Sequence, residues 1–105
     1  MIALEGLDPA FEHRARLAIG ALLARHDEIS FSAFKQQLAM TDGNLGAQLK
    51  KLEDTGYVCA RKEFLDKKPV TWYALTTAGR TALERHVDAL RRVISATPSP
   101  MSGEK

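Results

Sequence analysis

A chain of 105 residues carrying a net charge of +2 is one small domain with room for a single core. Ordinary apolar and charged fractions exclude wholesale disorder, and no apolar run approaches the length of a membrane span. The single cysteine, Cys59, excludes a disulfide within the chain and fits a reducing compartment; with no basic stretch followed by an apolar one at the start, a cytoplasmic location is expected.

Pro9 suits a first helical turn, and Asp8 before it suits the N-cap. From there the sequence AFEHRARLAIGALLARH predicts one helix, with Phe11, Ala15, Ala18, Ile19 and Leu22 on one face. Leu17, Ala21 and Leu23 widen its apolar surface beyond one core contact, which points to burial on a second side, against a partner. EIS is a short extended piece, and Ser30 or Ser32 can cap the next helix, FSAFKQQLA, which offers Phe31, Phe34 and Leu38 to the core.

Met40 fills a tight turn, and Thr41 caps a third helix carrying a Leu45, Leu49, Leu52 stripe. Gly56 ends that helix as a left-handed C′ residue. Two short helices joined by a tight turn are a helix-turn-helix in outline. After Gly56 the period changes: YVCARKEF and PVTWYALT are rich in β-branched and aromatic residues, with LDKK as the turn between them. Thr71, Tyr73 and Leu75 alternate onto one face of this hairpin and leave Trp72 on the other, while Pro69 requires an exposed loop or edge.

Thr76 caps a long last helix in which Leu83, Val87, Leu90 and Ile94 recur at intervals of four, three and four, a narrow seam suited to helix-on-helix packing. The stretch ATPSPMSGEK lacks an apolar pattern and reads as a disordered tail. The domain is therefore placed at 1–95 and the tail at 96–105. The order of elements predicts an α+β, mainly α, winged helix-turn-helix: a three-helix core, a two- to three-stranded β-wing and a long C-terminal dimerisation helix.

The segments LDP and RLAI (7–9 and 16–19), TDGNL…LKKLEDTGYV (41–58) and KEF…KP.T.Y.LT..GR (62–80) resemble the small winged-helix DNA-binding regulators grouped near the MarR and ArsR transcription factors. The resemblance runs from about residue 7 to residue 94. It implies a dimeric repressor or activator whose third helix, about 42–55, enters the major groove, whose wing, about 61–71, lies on the backbone or minor groove, and whose terminal helices make the dimer. One departure stands out: relatives often carry histidine where this chain has Gln48, so the operator cannot be borrowed from them.

Rotation of the third helix by about 100° per residue sets its leucines on one side. Gly43, Ala47, Lys50, Lys51 and Asp54 fall opposite, flanked by Asn44 and Gln48. Each interior glycine costs about 1 kcal/mol relative to alanine, so a bare first turn needs a reason. At Gly43 the reason is close approach of helix-terminal N–H groups to a phosphate or base edge. Gly46 lies at the flank of the stripe, where close helix–helix packing is the alternative. Asn44 and Gln48 are amides able to read adenine, Lys51 suits a phosphate, and Asp42 suits the helix N-terminus itself.

The candidate DNA contacts are thus Thr41, Gly43, Asn44, Ala47, Gln48 and Lys51, with Lys67 and Lys68 at the tip of the wing. Lysine on an exposed strand edge also deters aggregation, and Arg61 and Lys62 on the strand leading in are assigned to neither role. The candidate dimer interface is Phe11, Leu17, Leu83, Val87, Leu90 and Ile94. The expected partners are double-stranded DNA with a pseudo-palindromic operator and a second copy of the chain. The alternative is a winged-helix protein-interaction adaptor without specific DNA binding.

No enzyme constellation emerges, and no cofactor is expected. His13, His26 and His86 lack metal-ligand spacing, there is no phosphate-binding glycine loop, and Cys59 is expected to be an inert, half-buried thiol. Trp72 is expected either to be exposed or to touch the terminal helices.

Overall fold

A computed structural model describes residues 4–96; the expected tail, apart from Ala96, lies outside them. Four helices and a small antiparallel sheet follow in chain order: α1 (Arg14–Ala24), β1 (Ile29–Ser30), α2 (Phe31–Gln37), α3 (Asp42–Thr55), β2 (Val58–Leu65), β3 (Lys68–Leu75) and α4 (Thr77–Ser95). The sheet order is β1-β3-β2. This is the winged helix-turn-helix arrangement expected from the sequence, with β1 as the third strand.

Local chemistry sets most of the boundaries. Ser30, Thr41 and Thr76 each accept a hydrogen bond from the backbone N–H three residues on, at 3.1, 3.1 and 2.9 Å, satisfying donors that a helix start leaves orphaned. Gly56 ends α3 with φ +87°. Its N–H donates to the Glu53 carbonyl and that of Tyr57 to the Leu52 carbonyl, the paired bonds of a Schellman motif.

The first helix departs from expectation. Pro9–Phe11 form a 3-10 turn capped by Asp8, and α1 starts afresh after His13, whose Nδ1 accepts from the Ala15 N–H at 3.1 Å. The break turns Phe11 inward, where its ring stacks on Tyr57 at 5.6 Å and lies 5.9 Å from the His86 ring. The core face of α1 is Ile19, Gly20 and Leu23, while Ala15, Ala18 and Leu22 are only half-buried.

Leu45, Leu49 and Leu52 of α3 join Phe34, Val58 and Tyr73 in the core, each buried leucine contributing about 1.5–3 kcal/mol. That stripe holds the opposite face of α3 outward. Two further features lock the periphery. Gly79 lets the first turn of α4 lie against Tyr57, since a Cβ there would stand 2.0 Å from the Tyr57 carbonyl oxygen. Asp8 is held by its neighbours on both sides: its N–H donates to buried His86 Nδ1 at 2.9 Å and its carboxylate accepts from the Tyr57 hydroxyl at 2.6 Å. The N-terminal segment is thereby fastened to Tyr57, just before β2, and to α4.

Two residues expected at a dimer interface belong instead to the chain's own core. Phe11 is 1% exposed and Leu83 6%. The seam of α4 is therefore divided. Its first leucine packs inward beside Gly20 of α1, whereas Val87 and Leu90 are half-buried and Ile94 is 72% exposed.

Candidate nucleic-acid interface

The outward face of α3 begins at Thr41, whose Oγ1 accepts from the Asn44 N–H. Thr41, Asp42, Gly43, Asn44, Ala47, Lys50 and Lys51 are exposed, and Gly46 and Gln48 half-buried. A Cβ built at Gly43 or at Gly46 meets nothing within 4 Å. Close helix packing therefore does not account for Gly46, and neither glycine is required by the domain's interior. Asp42 pairs with Lys35 of α2, which offsets the carboxylate at a helix start otherwise carrying partial positive charge. Lys50 is engaged by Asp54 at 2.8 Å, while Lys51 forms no ion pair with the described residues.

Asn44 and Gln48 touch. Gln48 Nε2 donates to Asn44 Oδ1 at 3.3 Å, and Gln48 Oε1 accepts from Arg16 Nη1 of α1 at 2.8 Å. Arg16 is in turn fixed by donating from Nε to the Ala10 carbonyl at 2.7 Å. Inspection of the sequence alone missed Arg16: it stands 32 residues from Gln48, and nothing local announces the contact.

The wing is a tight hairpin. Leu65 pairs with Lys68, leaving Asp66 and Lys67 as a two-residue turn with φ +51° and +65°, a type I′ geometry that favours Asn-Gly. Lysine in this left-handed region costs about 1 kcal/mol relative to glycine. Lys62, Lys67 and Lys68 are exposed. Also exposed is Phe64, at 74%, a second residue that sequence inspection passed over. It sits opposite Pro69 and forms an apolar surface among lysines.

Arg61 stands apart. It donates to Glu28 from Nε and Nη2 at 3.0 and 2.7 Å, and to Glu63 at 3.2 Å. The hydrogen bonds to these carboxylates hold its guanidinium pKa above the ordinary value, and the bond from Arg61 holds that of Glu28 below its own. Arg61 also lies 6.0 Å from the Trp72 ring, whose indole N–H donates to Glu63 at 2.7 Å. On this face of the sheet Arg61 is engaged by two carboxylates, and the wing cations available to an anionic partner are Lys62 and those of the tip. Cys59 lies on the same face and is exposed rather than half-buried, because its strand is covered on one side only. Trp72 is half-buried and faces Ser30 across the β1–β3 pair.

Among the described residues no group of three His, Cys, Asp or Glu could hold a metal, and no helix is long and apolar enough to cross a membrane. The arrangement can offer amides and a bare helix start to base edges, and lysines to phosphates.

Comparison with known proteins bears on the fold and the family. Residues 15–94 match the profile of a winged helix DNA-binding domain. An uncharacterized protein of Methanocaldococcus jannaschii is 35% identical over 77 residues, covering 73% of this chain and 84% of its own length. A transcriptional regulator homologue of Pyrococcus horikoshii OT3 superposes with a TM-score of 0.78 at 29% identity, over 83% of this chain and 86% of that one. A MarR-family regulator of Enterococcus faecalis V583 shares the fold at 20% identity, with a TM-score of 0.68 over 83% of this chain and 77% of that one.

Proposed function

The chain belongs to the family of winged helix DNA-binding domains, and on that premise we propose that it is a transcriptional regulator, not an enzyme, which binds a pseudo-palindromic operator as a homodimer. The observation that carries this reading is a set of residue choices that stability alone disfavours. Gly43 occupies a helix position where a side chain meets nothing, and Lys67 occupies a left-handed position where glycine is less strained. Both lie on the two elements that a winged helix turns toward a duplex.

In this reading α3 lies in the major groove. The bare backbone at Gly43 comes close to a phosphate or base edge, with Thr41 and Ala47 adding small side chains that let it approach. Asn44 meets the base edges with Gln48 beside it in support, Lys51 meets a phosphate, and Lys67 and Lys68 bind the backbone beside the groove. Phosphate contacts set register and affinity while the amides supply preference. The dimer forms through the half-buried Leu17, Val87 and Leu90 and the exposed Ile94, around a two-fold axis. The two α3 helices then stand roughly 34 Å apart, one turn of DNA.

Selection of bound fragments from a random duplex library, followed by titration of the recovered site at two salt concentrations, tests this. The expected result is an inverted repeat preferred over scrambled DNA by about a thousandfold or more. No enriched motif, with weak binding that disappears as salt rises, would contradict it and leave the wing as a basic surface on a protein-interaction module.

A further inference from the structure

We propose that Arg16 is a positioning residue for DNA sequence preference, which acts by fixing the orientation of two successive side-chain amides; the proposal rests on the DNA-reading role of α3 given above. The inference follows from donor and acceptor chemistry. A guanidinium has donors only, so the Gln48 amide beside it must present its oxygen to Arg16, as it does at 2.8 Å. Its nitrogen is thereby directed the other way, toward Asn44, where it donates to Oδ1 at 3.3 Å. The Asn44 amide is in turn required to present its oxygen to Gln48, and its NH2 group is left to face outward.

Without Arg16 both amides could turn over at little cost, since each end of an amide is matched by the other end of its neighbour. With it, one orientation is imposed on both.

The anchor itself is firm. Arg16 Nε and Nη2 donate to the carbonyls of Ala10 and Pro9 at 2.7 and 3.4 Å. Those residues follow Asp8, which is fastened to buried His86 and to Tyr57. A line of contacts therefore runs from the core through the 3-10 turn and Arg16 to an exposed side chain at the start of α3. Gln48, half-buried between Arg16 and Asn44, supports the reader next to it. Asn44, led by its NH2 group, selects a base that offers acceptors in the major groove: guanine through O6 and N7, or thymine through O4. The bidentate adenine contact, which needs the amide oxygen and nitrogen side by side at the base, is disfavoured.

The test is fragment selection from a random duplex library with the full chain, its Arg16→Met variant and its Gln48→Glu variant. For the unaltered chain, one position in each half-site should prefer guanine or thymine. Arg16→Met should flatten that position about tenfold or more while the rest of the motif survives. Gln48→Glu keeps its pairing with Arg16 but has no hydrogen to give Asn44. The Asn44 amide must then turn its NH2 group inward and its oxygen toward the groove, so preference should move to a base with a major-groove donor, cytosine or adenine. A solely structural Arg16 would lower melting temperature and affinity for every site alike, leaving the motif unchanged in both variants; that result overturns the proposal. Failure of the unaltered chain to select any motif would overturn the DNA reading itself, and the proposal with it.

Discussion

Replacing Gly43 and Gly46 separately by alanine divides what the fold needs from what a partner needs. Neither glycine has a positive φ, and an added Cβ at either meets nothing within 4 Å. The substitution therefore adds helix propensity without a clash. Gly46, inside the helix, should gain about 1 kcal/mol; Gly43, in the first turn, should gain about half as much. For a domain of this size 1 kcal/mol corresponds to about 4–8 °C in Tm. Urea unfolding should show a raised midpoint at unchanged slope, the sign that stability rather than compactness has changed.

Affinity for the selected operator should move the other way at Gly43, falling about tenfold, or 1.4 kcal/mol, because a methyl group holds the helix start off its phosphate or base edge. Gly46, on the flank of the leucine stripe, should lose little. A Gly43→Ala variant that is more stable and binds undiminished would refute the close-approach argument. One that is less stable would refute the claim that the position is open.

Five other outcomes are expected. Gly79→Ala should cost about 3 kcal/mol or more, since its Cβ would stand 2.0 Å from a backbone oxygen and only displacement of α4 relieves that overlap; thermal denaturation checks it. Lys67→Gly should raise stability by about 1 kcal/mol by relieving the left-handed lysine, while Lys67→Ala with Lys68→Ala should weaken all duplexes alike and reduce the slope of log K against log salt by roughly 0.9 per lost contact. Ile94→Glu, at a position 72% exposed, should leave the helical circular dichroism signal intact and shift light scattering toward the monomer. The Tyr57 hydroxyl donates to the Asp8 carboxylate, which with burial raises its pKa above the usual 10.0; stability from this bond is full below pH 10, is lost as pH rises through the raised value, and should vanish from the pH profile of Tyr57→Phe.

The parts of this fold that could be read in the sequence are those set by neighbours in the chain. Thr41 and Thr76 cap as the sequence indicates, and Ser30 rather than Ser32 caps α2, because a capping bond spans three residues. Gly56 ends α3 because the Schellman geometry spans six. The turn was legible as LDKK, of which Leu65 and Lys68 prove to be the last and first residues of the paired strands. What could not be read is set by distant contacts. The break after Phe11 exists because Tyr57 and His86 receive its ring, and neither is near in sequence.

Leu83 and Ile94 both belong to the seam of α4. Period alone cannot tell that Leu83 meets α1 of its own chain while Ile94 is 72% exposed. The face of α3 was legible from its leucine stripe, but the coupling of Gln48 to Arg16 was not, and with it the reason Gln48 is half-buried. The motif LT..GR was legible as a likeness; its glycine gains a physical reason only once Tyr57 is seen against it.

The central claim is that two copies of α3 read one duplex from one side. Hydroxyl-radical footprinting of the selected operator tests it most directly, because it reports contact geometry rather than affinity. Two protected patches on the same face of the duplex, with centres about 10 base pairs apart and flanking protection that disappears in the Lys67→Ala, Lys68→Ala variant, are the predicted result. A single patch, or uniform weak protection unaffected by the wing substitutions, would contradict it.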